Sequence, residues 1–297
     1  MSTRVLKPQW AVLWAAFFNF IAFAFFGLNV ATTIGIGLID PNVVNESMIV
    51  SVLLAAILWN ILTWYLGLPS SSSHALIGGL LGAALMKAGL SAFNWLGISK
   101  VILAIILSPL LGLLTGGILM LMMARIFFHS TPSRINTWFR RLQFLSAAFV
   151  SLAHGGNDAQ KTMGIIAILL YSGHYLGDKF YVPFWIIVMC NFTIALGTFF
   201  GGWRIVKTMG MKITKLKPIG GFCAETASGL TLAFVTLLGI PVSTTHTITG
   251  AIIGVGSINR SHAVRWGIAR NIIWAWILTI PAAAGFAAGI DFIINRL

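Results

Sequence analysis

The sequence predicts an all-α polytopic membrane protein, an inverted-topology repeat with broken or re-entrant helices, and three observations carry that reading. The chain of 297 residues is 58% apolar and only 8% charged, against roughly 25% charged in soluble domains. Most of its apolar runs reach the ~20 residues that a spanning helix needs. The motif Leu66-Gly-Leu-Pro-Ser-Ser-Ser-Ser-His74 also returns as Leu238-Gly-Ile-Pro-Val-Ser-Thr-Thr-His246, an offset of 246 − 74 = 172.

The apolar runs cover approximately 10–39, 48–66, 71–86, 98–124, 144–171, 183–203, 219–238, 243–255 and 264–294. The first reaches Ile39 without a short apolar core and cleavage site, so no signal peptide is expected. The runs starting at Ser71 and Ser243 are short. Each follows its neighbour across a Gly-x-Pro break, Gly67-Leu68-Pro69 and Gly239-Ile240-Pro241, and proline cannot continue a helix it does not begin. These short runs read as half-helices or arms of re-entrant hairpins. Cys190 and Cys223 lie in apolar runs and read as small buried hydrophobes.

The net charge of +13 does not point to nucleic acid, because the basic residues fall in the connections, where they orient a membrane protein. Arg125, Arg134, Arg140 and Arg141 mark one cytoplasmic connection, and Arg204, Lys207, Lys212, Lys215 and Lys217 another. Parity then puts Asp40, Glu46 and Asp178 outside, and Arg4, Lys7, Arg260 and Arg265 inside. The same offset of 172 pairs Gly78 with Gly250, Gly82 with Gly254, Asn19 with Asn191 and Pro109 with Pro281, a strong internal repeat. The two copies run in opposite directions, which in membranes points to a secondary transporter with its site at the repeat interface. The expected organisation is a first, N-terminally incomplete repeat over 1–124, a basic cytoplasmic linker over 125–142 and a second repeat over 143–297.

Three stretches carry the chemistry. Pro69 to His74 and Pro241 to His246 each put hydroxyls at a helix start, where unpaired N–H groups and the positive dipole end attract anions. Ser71, Ser72, Ser73, Ser243, Thr244 and Thr245 are therefore candidate donors to a tetrahedral oxyanion; ordinary capping is the alternative. In His154-Gly-Gly-Asn-Asp-Ala-Gln-Lys161, Gly155 and Gly156 are expected to break the helix and free backbone carbonyls. Asp158 and Glu225 are the acids expected well inside the membrane, and such acids face an ion, a cavity or a partner. With Asn157, Gln160 and the freed carbonyls they would suit a hard cation such as Na⁺, or carry H⁺; the alternative is an acid paired with Lys161. No nucleotide-binding loop is present, no catalytic grouping is recognisable, and no cofactor is expected.

With these residues in view, the chain resembles a bacterial member of the PiT family of inorganic phosphate transporters. His154 to Lys161 resembles that family's second Asn-Asp signature, and Pro69 to His74 and Pro241 to His246 resemble its paired Pro-Ser/Thr-rich-His motifs. The resemblance implies cation-coupled phosphate uptake by a multi-pass homodimer in the inner (plasma) membrane. It implies Asn157, Asp158, Ser72, Ser73, Ser243, Thr244 and Thr245 near phosphate and Asp158, Gln160 and Glu225 near the coupling ion. A sulfate permease of the same fold is the alternative within transporters. The family carries a first Asn-Asp signature that has no match here. An open groove beside Asn157 and weak transport, or a truncated non-transporting membrane protein, are expected to follow.

Overall fold

The computed structural model describes residues 3, 5–259 and 263–296; Arg4 and Arg260 lie outside them. The described residues form α1 (Pro8–Ile21), α2 (Asn29–Ile36), α3 (Glu46–Leu66), α4 (Ser72–Ala88), α5 (Trp95–Ile126), α6 (Pro132–Ser172), α7 (Phe184–Phe200), α8 (Trp203–Lys207), α9 (Pro218–Leu237), α10 (Thr244–Asn259) and α11 (Trp266–Ile294). Five helical spans, α3, α4 with its following 3-10 turn, α5, α9 and α11, are long and apolar enough to cross a membrane; two bent pairs bring that to seven. Much of α5 leaves Ile102, Leu103, Ile106, Leu110 and Leu114 exposed, as a lipid-facing surface requires.

The breaks form where glycine and proline foretell them. Gly67 ends α3 at φ 67° and Gly239 follows α9 at φ 70°, a left-handed conformation that favours glycine. After each proline a serine caps the next helix: Ser71 Oγ accepts from His74 N at 3.2 Å, and Ser243 Oγ from His246 N at 3.2 Å.

The repeat survives in the helix ends. Subtracting 172 from α9 (218–237) gives 46–65 against 46–66 for α3, from α10 (244–259) gives 72–87 against 72–88 for α4, and from α11 (266–294) gives 94–122 against 95–126 for α5. The bent pairs also correspond: α1 with α2 turns by 79°, and α7 with α8 by 65°. The halves interlock, since α4 packs along α11 and α10 along α5, the reciprocal pattern of a two-fold interface. Equivalent side chains touch at two places, His74 with His246 (ring centroids 4.6 Å apart) and Phe20 with Phe192 (6.4 Å). Contacts between equivalents lie on the relating axis, so that axis runs through the start of α4 and α10.

The run 10–39 divides in two, because α2 starts afresh at Asn29. One expectation is corrected. The helix does not break at Gly155 and Gly156; α6 runs unbroken through both. These glycines serve close packing: a Cβ at Gly155 would meet Asn19 O at 2.6 Å, and one at Gly156 would enter the Phe26 ring. The basic stretch 125–142 ends α5, turns over 127–131, and then forms the opening turns of α6.

Candidate functional site

Asp158, on α6, is where the starts of α4 and α10 meet. Its Oδ1 accepts from Lys161 Nζ, one turn further along the helix, and its Oδ2 accepts from Thr244 Oγ1 at 2.9 Å. Thr244 is the first residue of α10. His154 Nε2 lies 3.1 Å from Oδ2, and the other ring nitrogen faces Asn19 Oδ1 at 3.2 Å. Lys161 Nζ donates further to Ser73 Oγ, in the first turn of α4, and to Val242 O at 2.6 Å, in the unwound stretch before α10. One ammonium thus ties together both half-helix starts and the central helix.

A cavity of about 540 Å³ opens beside this cluster, lined by Ser72, Ser73, His154, Asp158, Lys161 and Thr162 with apolar walls from α3 and α7. Its polar floor comes from the start of α4 and from α6. Ser72 is exposed to it, while Ser71 and Ser243 are buried and spend their hydroxyls as caps. Thr244 reaches the cavity through Asp158. Thr245 is half-buried and does not line it.

Asn157 departs from expectation. It is fully buried at 0% exposure, with Nδ2 donating to Thr236 Oγ1 at 2.7 Å. No open groove lies beside it, because α1 and α2 pack along α6 and press Asn19, Ala22 and Phe26 onto the glycine face. The cavity lies instead on the Asp158 side.

The joint cation site of Asp158 and Glu225 is also corrected. Glu225 on α9 accepts from Ser146 Oγ at 2.6 Å and Gln143 Nε2 at 3.1 Å. Ser146 precedes Asp158 by 158 − 146 = 12 residues on one helix, about 18 Å at 1.5 Å per residue. Nor does Gly155 free a carbonyl, since α6 is continuous. Among the described residues no group of three His, Cys, Asp or Glu side chains converges as a metal site.

Gln160 is committed elsewhere. Its Oε1 accepts from the N–H groups of Val30 and Ala31 at 3.0 and 3.2 Å, and its Nε2 donates to Gly156 O at 2.6 Å. These N–H groups belong to the first turn of α2, which has no cap from its own segment, so Gln160 caps it from α6. Gln160→Leu is expected to leave both donors buried and unpaired, costing about 2–3 kcal/mol, or roughly 5–10 °C in Tm. Gln160→Glu, which keeps the acceptor, should recover most of that loss; a thermal scan of both variants distinguishes a cap from an ion ligand, because a cap role leaves Tm indifferent to added Na⁺.

Sequence reading undervalues Lys161, Val242 and Asn19. Lys161 carries a local signal, three residues after Asp158; Val242 O and Asn19 arrive from remote segments and carry none.

A family model described as the phosphate transporter family matches residues 1–287. A probable low-affinity inorganic phosphate transporter of Rhizobium meliloti (strain 1021) is 61% identical over 97% of this chain and 86% of its own length. The protein of the same description from Bacillus subtilis (strain 168) is 42% identical over 100% of this chain and 90% of its own. A solved structure of a protein described as the sodium-dependent phosphate transporter superposes with a TM-score of 0.92 at 24% identity, covering 100% of this chain and 92% of that one. At that identity it speaks for the fold.

Proposed function

Because this chain belongs to the phosphate transporter family, we propose that its phosphate is bound in the Asp158 cavity and carried in symport with a cation. The carrying observation is the convergence of the two repeat-related helix starts on one carboxylate: Ser73 through Lys161, and Thr244 directly. Both starts offer N–H dipoles to an anion. Ser72, Ser73 and Thr244 are the hydroxyls that would reach phosphate. Ser71 and Ser243 hold the two helix starts in shape, Thr245 stands one residue behind, and Asn157 supports α6 from the back. Either H⁺ or Na⁺ is compatible with family membership; the sodium dependence ascribed to the fold neighbour brings Na⁺ into consideration.

Asp158 also gives a reason to favour phosphate over sulfate. A carboxylate has about four acceptor positions, and Asp158 spends three of them on Lys161, Thr244 and His154. The remaining one suits a P–OH group. Sulfate carries no proton at neutral pH and would set oxygen against oxygen, the kind of unpaired buried contact that discriminates strongly. In proteoliposomes, labelled phosphate should accumulate against its gradient, and sulfate in about 100-fold excess should lower the initial rate less than about twofold. Competition by equimolar sulfate would instead assign the site to sulfate.

The same reading makes the chain a multi-pass homodimer of the inner (plasma) membrane that transports without a cofactor and without catalysis. The apolar spans and the transporter family support the multi-pass membrane part of this reading.

A further inference from the structure

Resting on the reading that phosphate binds in the Asp158 cavity, we propose that α8 is the inner gate of this chain, latched by Arg204 and Thr208 onto the tip that joins α3 to α4. Arg204 Nη1 donates to Tyr65 O at 2.6 Å, and Thr208 Oγ1 donates to Gly67 O at 2.9 Å. These carbonyls end α3, just before Pro69 and the serines that begin α4. The Arg204 guanidinium also lies over the rings of Trp64 and Tyr65, 5.2 and 4.9 Å from their centroids, which adds to its hold.

The same latch occurs in the other half. Asn29 Nδ2 donates to Leu237 O at 3.0 Å, and Thr33 Oγ1 donates to Gly239 O at 2.8 Å. The acceptors correspond by the repeat, 237 − 65 = 172 and 239 − 67 = 172, and the donors share an offset of their own, 204 − 29 = 175 and 208 − 33 = 175. Two side chains four residues apart that reach the same two carbonyls in both halves make the latch a device of the fold. By the charge reading α2 lies at the outer side, and α8, with Arg204, Lys207 and the lysines that follow, at the inner side. Each latch therefore closes over one tip on one side of the membrane.

The inner latch is the more easily released. Gln160 fastens the first turn of α2 to α6, and a Cβ at Gly239 would stand 3.1 Å from Asn29 Cβ. In contrast, α8 has five residues and no side-chain cap. It stands between Gly201, at φ 74°, and a π turn over Thr208–Lys212, an irregularity frequent at functional sites. A Cβ at Gly67 would meet nothing closer than Thr208 Oγ1 at 3.7 Å. A void of about 140 Å³ also adjoins the Asp158 cavity, sharing Asn60 and Ser72 with it, and its other walls include Leu68, Pro69 and Ser70 of the tip and Ile205 of α8. Ile205 thus stands between the phosphate cavity and the inner side. When α8 swings away, Trp276 Nε1 still holds Pro69 O at 3.0 Å and the Thr63 and Ser70 hydroxyls stay paired at 2.7 Å, so the start of α4 keeps its place.

The test is the accessibility of a single cysteine in the full chain. Asn60→Cys, combined with Cys190→Ala and Cys223→Ala, puts one thiol where cavity and void meet. In inside-out membrane vesicles, an impermeant charged maleimide should react with it at least about fivefold faster after Thr208→Val, which keeps the shape and removes the donor. Thr208→Ser, which keeps the donor, should label as the parent does, and Thr33→Val should leave inner labelling unchanged. A chain biased toward inner opening presents its site outside less often, so Thr208→Val should raise KM for outside phosphate at least about threefold while phosphate affinity in detergent stays within about twofold. Where Thr208→Val fails to fold, Leu68→Cys with Ile205→Cys tests the same gate: a short bifunctional methanethiosulfonate joining the pair should stop uptake, and a reductant should restore it. Equal labelling of Thr208→Val and its parent, an unchanged KM, or full uptake by the joined pair would each overturn the gate while the Asp158 phosphate site stands. Faster labelling in a chain that neither binds nor carries phosphate would keep the gate and remove the site reading.

Discussion

Asp158→Asn is expected to abolish concentrative phosphate uptake, lowering the initial rate at least about 100-fold, while the chain still inserts in the membrane. The amide preserves shape but removes the charge that Lys161 faces. A buried ammonium left without its counter-charge destabilises by about 3–5 kcal/mol, and Thr244 loses a charged acceptor at the start of α10. The affected structure is then the phosphate site itself, since both helix starts are tied to this carboxylate. Asp158→Asn combined with Lys161→Met removes both charges. It should recover much of the stability and none of the uptake. Rates normalised to protein that elutes as a single folded species separate the two effects. Full concentrative uptake by Asp158→Asn would reassign Asp158 to structure alone.

Gly254→Val is expected to lose stability through packing alone. A Cβ at Gly254 would run into Leu113 O, and at Gly250 into Pro109 O. From the facing helix, Gly116 meets Ala251 O at 2.7 Å and Gly112 meets Thr247 O. These are backbone contacts across the α10–α5 seam, the close approach that small residues permit between membrane helices. Overpacking usually costs about 1–3 kcal/mol; with backbone as the obstacle the upper end applies, about 3 kcal/mol or roughly 6–12 °C in Tm. Because α10 begins at Thr244, a shift of this helix also moves the phosphate site, and uptake should fall with stability. Gly289→Ala is the control, since a Cβ there meets nothing within 4 Å. An unchanged Tm for Gly254→Val would mean that the seam between α10 and α5 is looser than the geometry indicates.

What the sequence makes legible is what depends on neighbours in the chain. The breaks at Gly67 and Gly239, the caps by Ser71 and Ser243, and the pairing of Asp158 with Lys161 rest on residues at most a few positions apart. The repeat needs only comparison of the chain with itself, and its offset predicts most helix ends to within a few residues. What fails depends on remote partners. Gly155 and Gly156 look like helix breakers until Asn19 and Phe26 arrive from 130 or more residues away to occupy the space. Gln160 looks like an ion ligand until Val30 and Ala31 present their N–H groups to it. Glu225 groups with Asp158 on expected membrane depth alone, yet depth says nothing about position along α6, and Ser146 holds Glu225 some three turns away.

If one phosphate sits where the starts of α4 and α10 converge beside Asp158, a tetrahedral analogue with strong anomalous scattering must find the same place. Arsenate in crystals of the purified protein is the most direct such probe. One peak should appear within hydrogen-bonding reach of Ser72, Ser73 or Thr244 and next to Asp158, and it should be displaced by phosphate. A peak confined to the basic connections around Arg140 or Lys215, with the Asp158 cavity empty at saturating arsenate, would contradict the account.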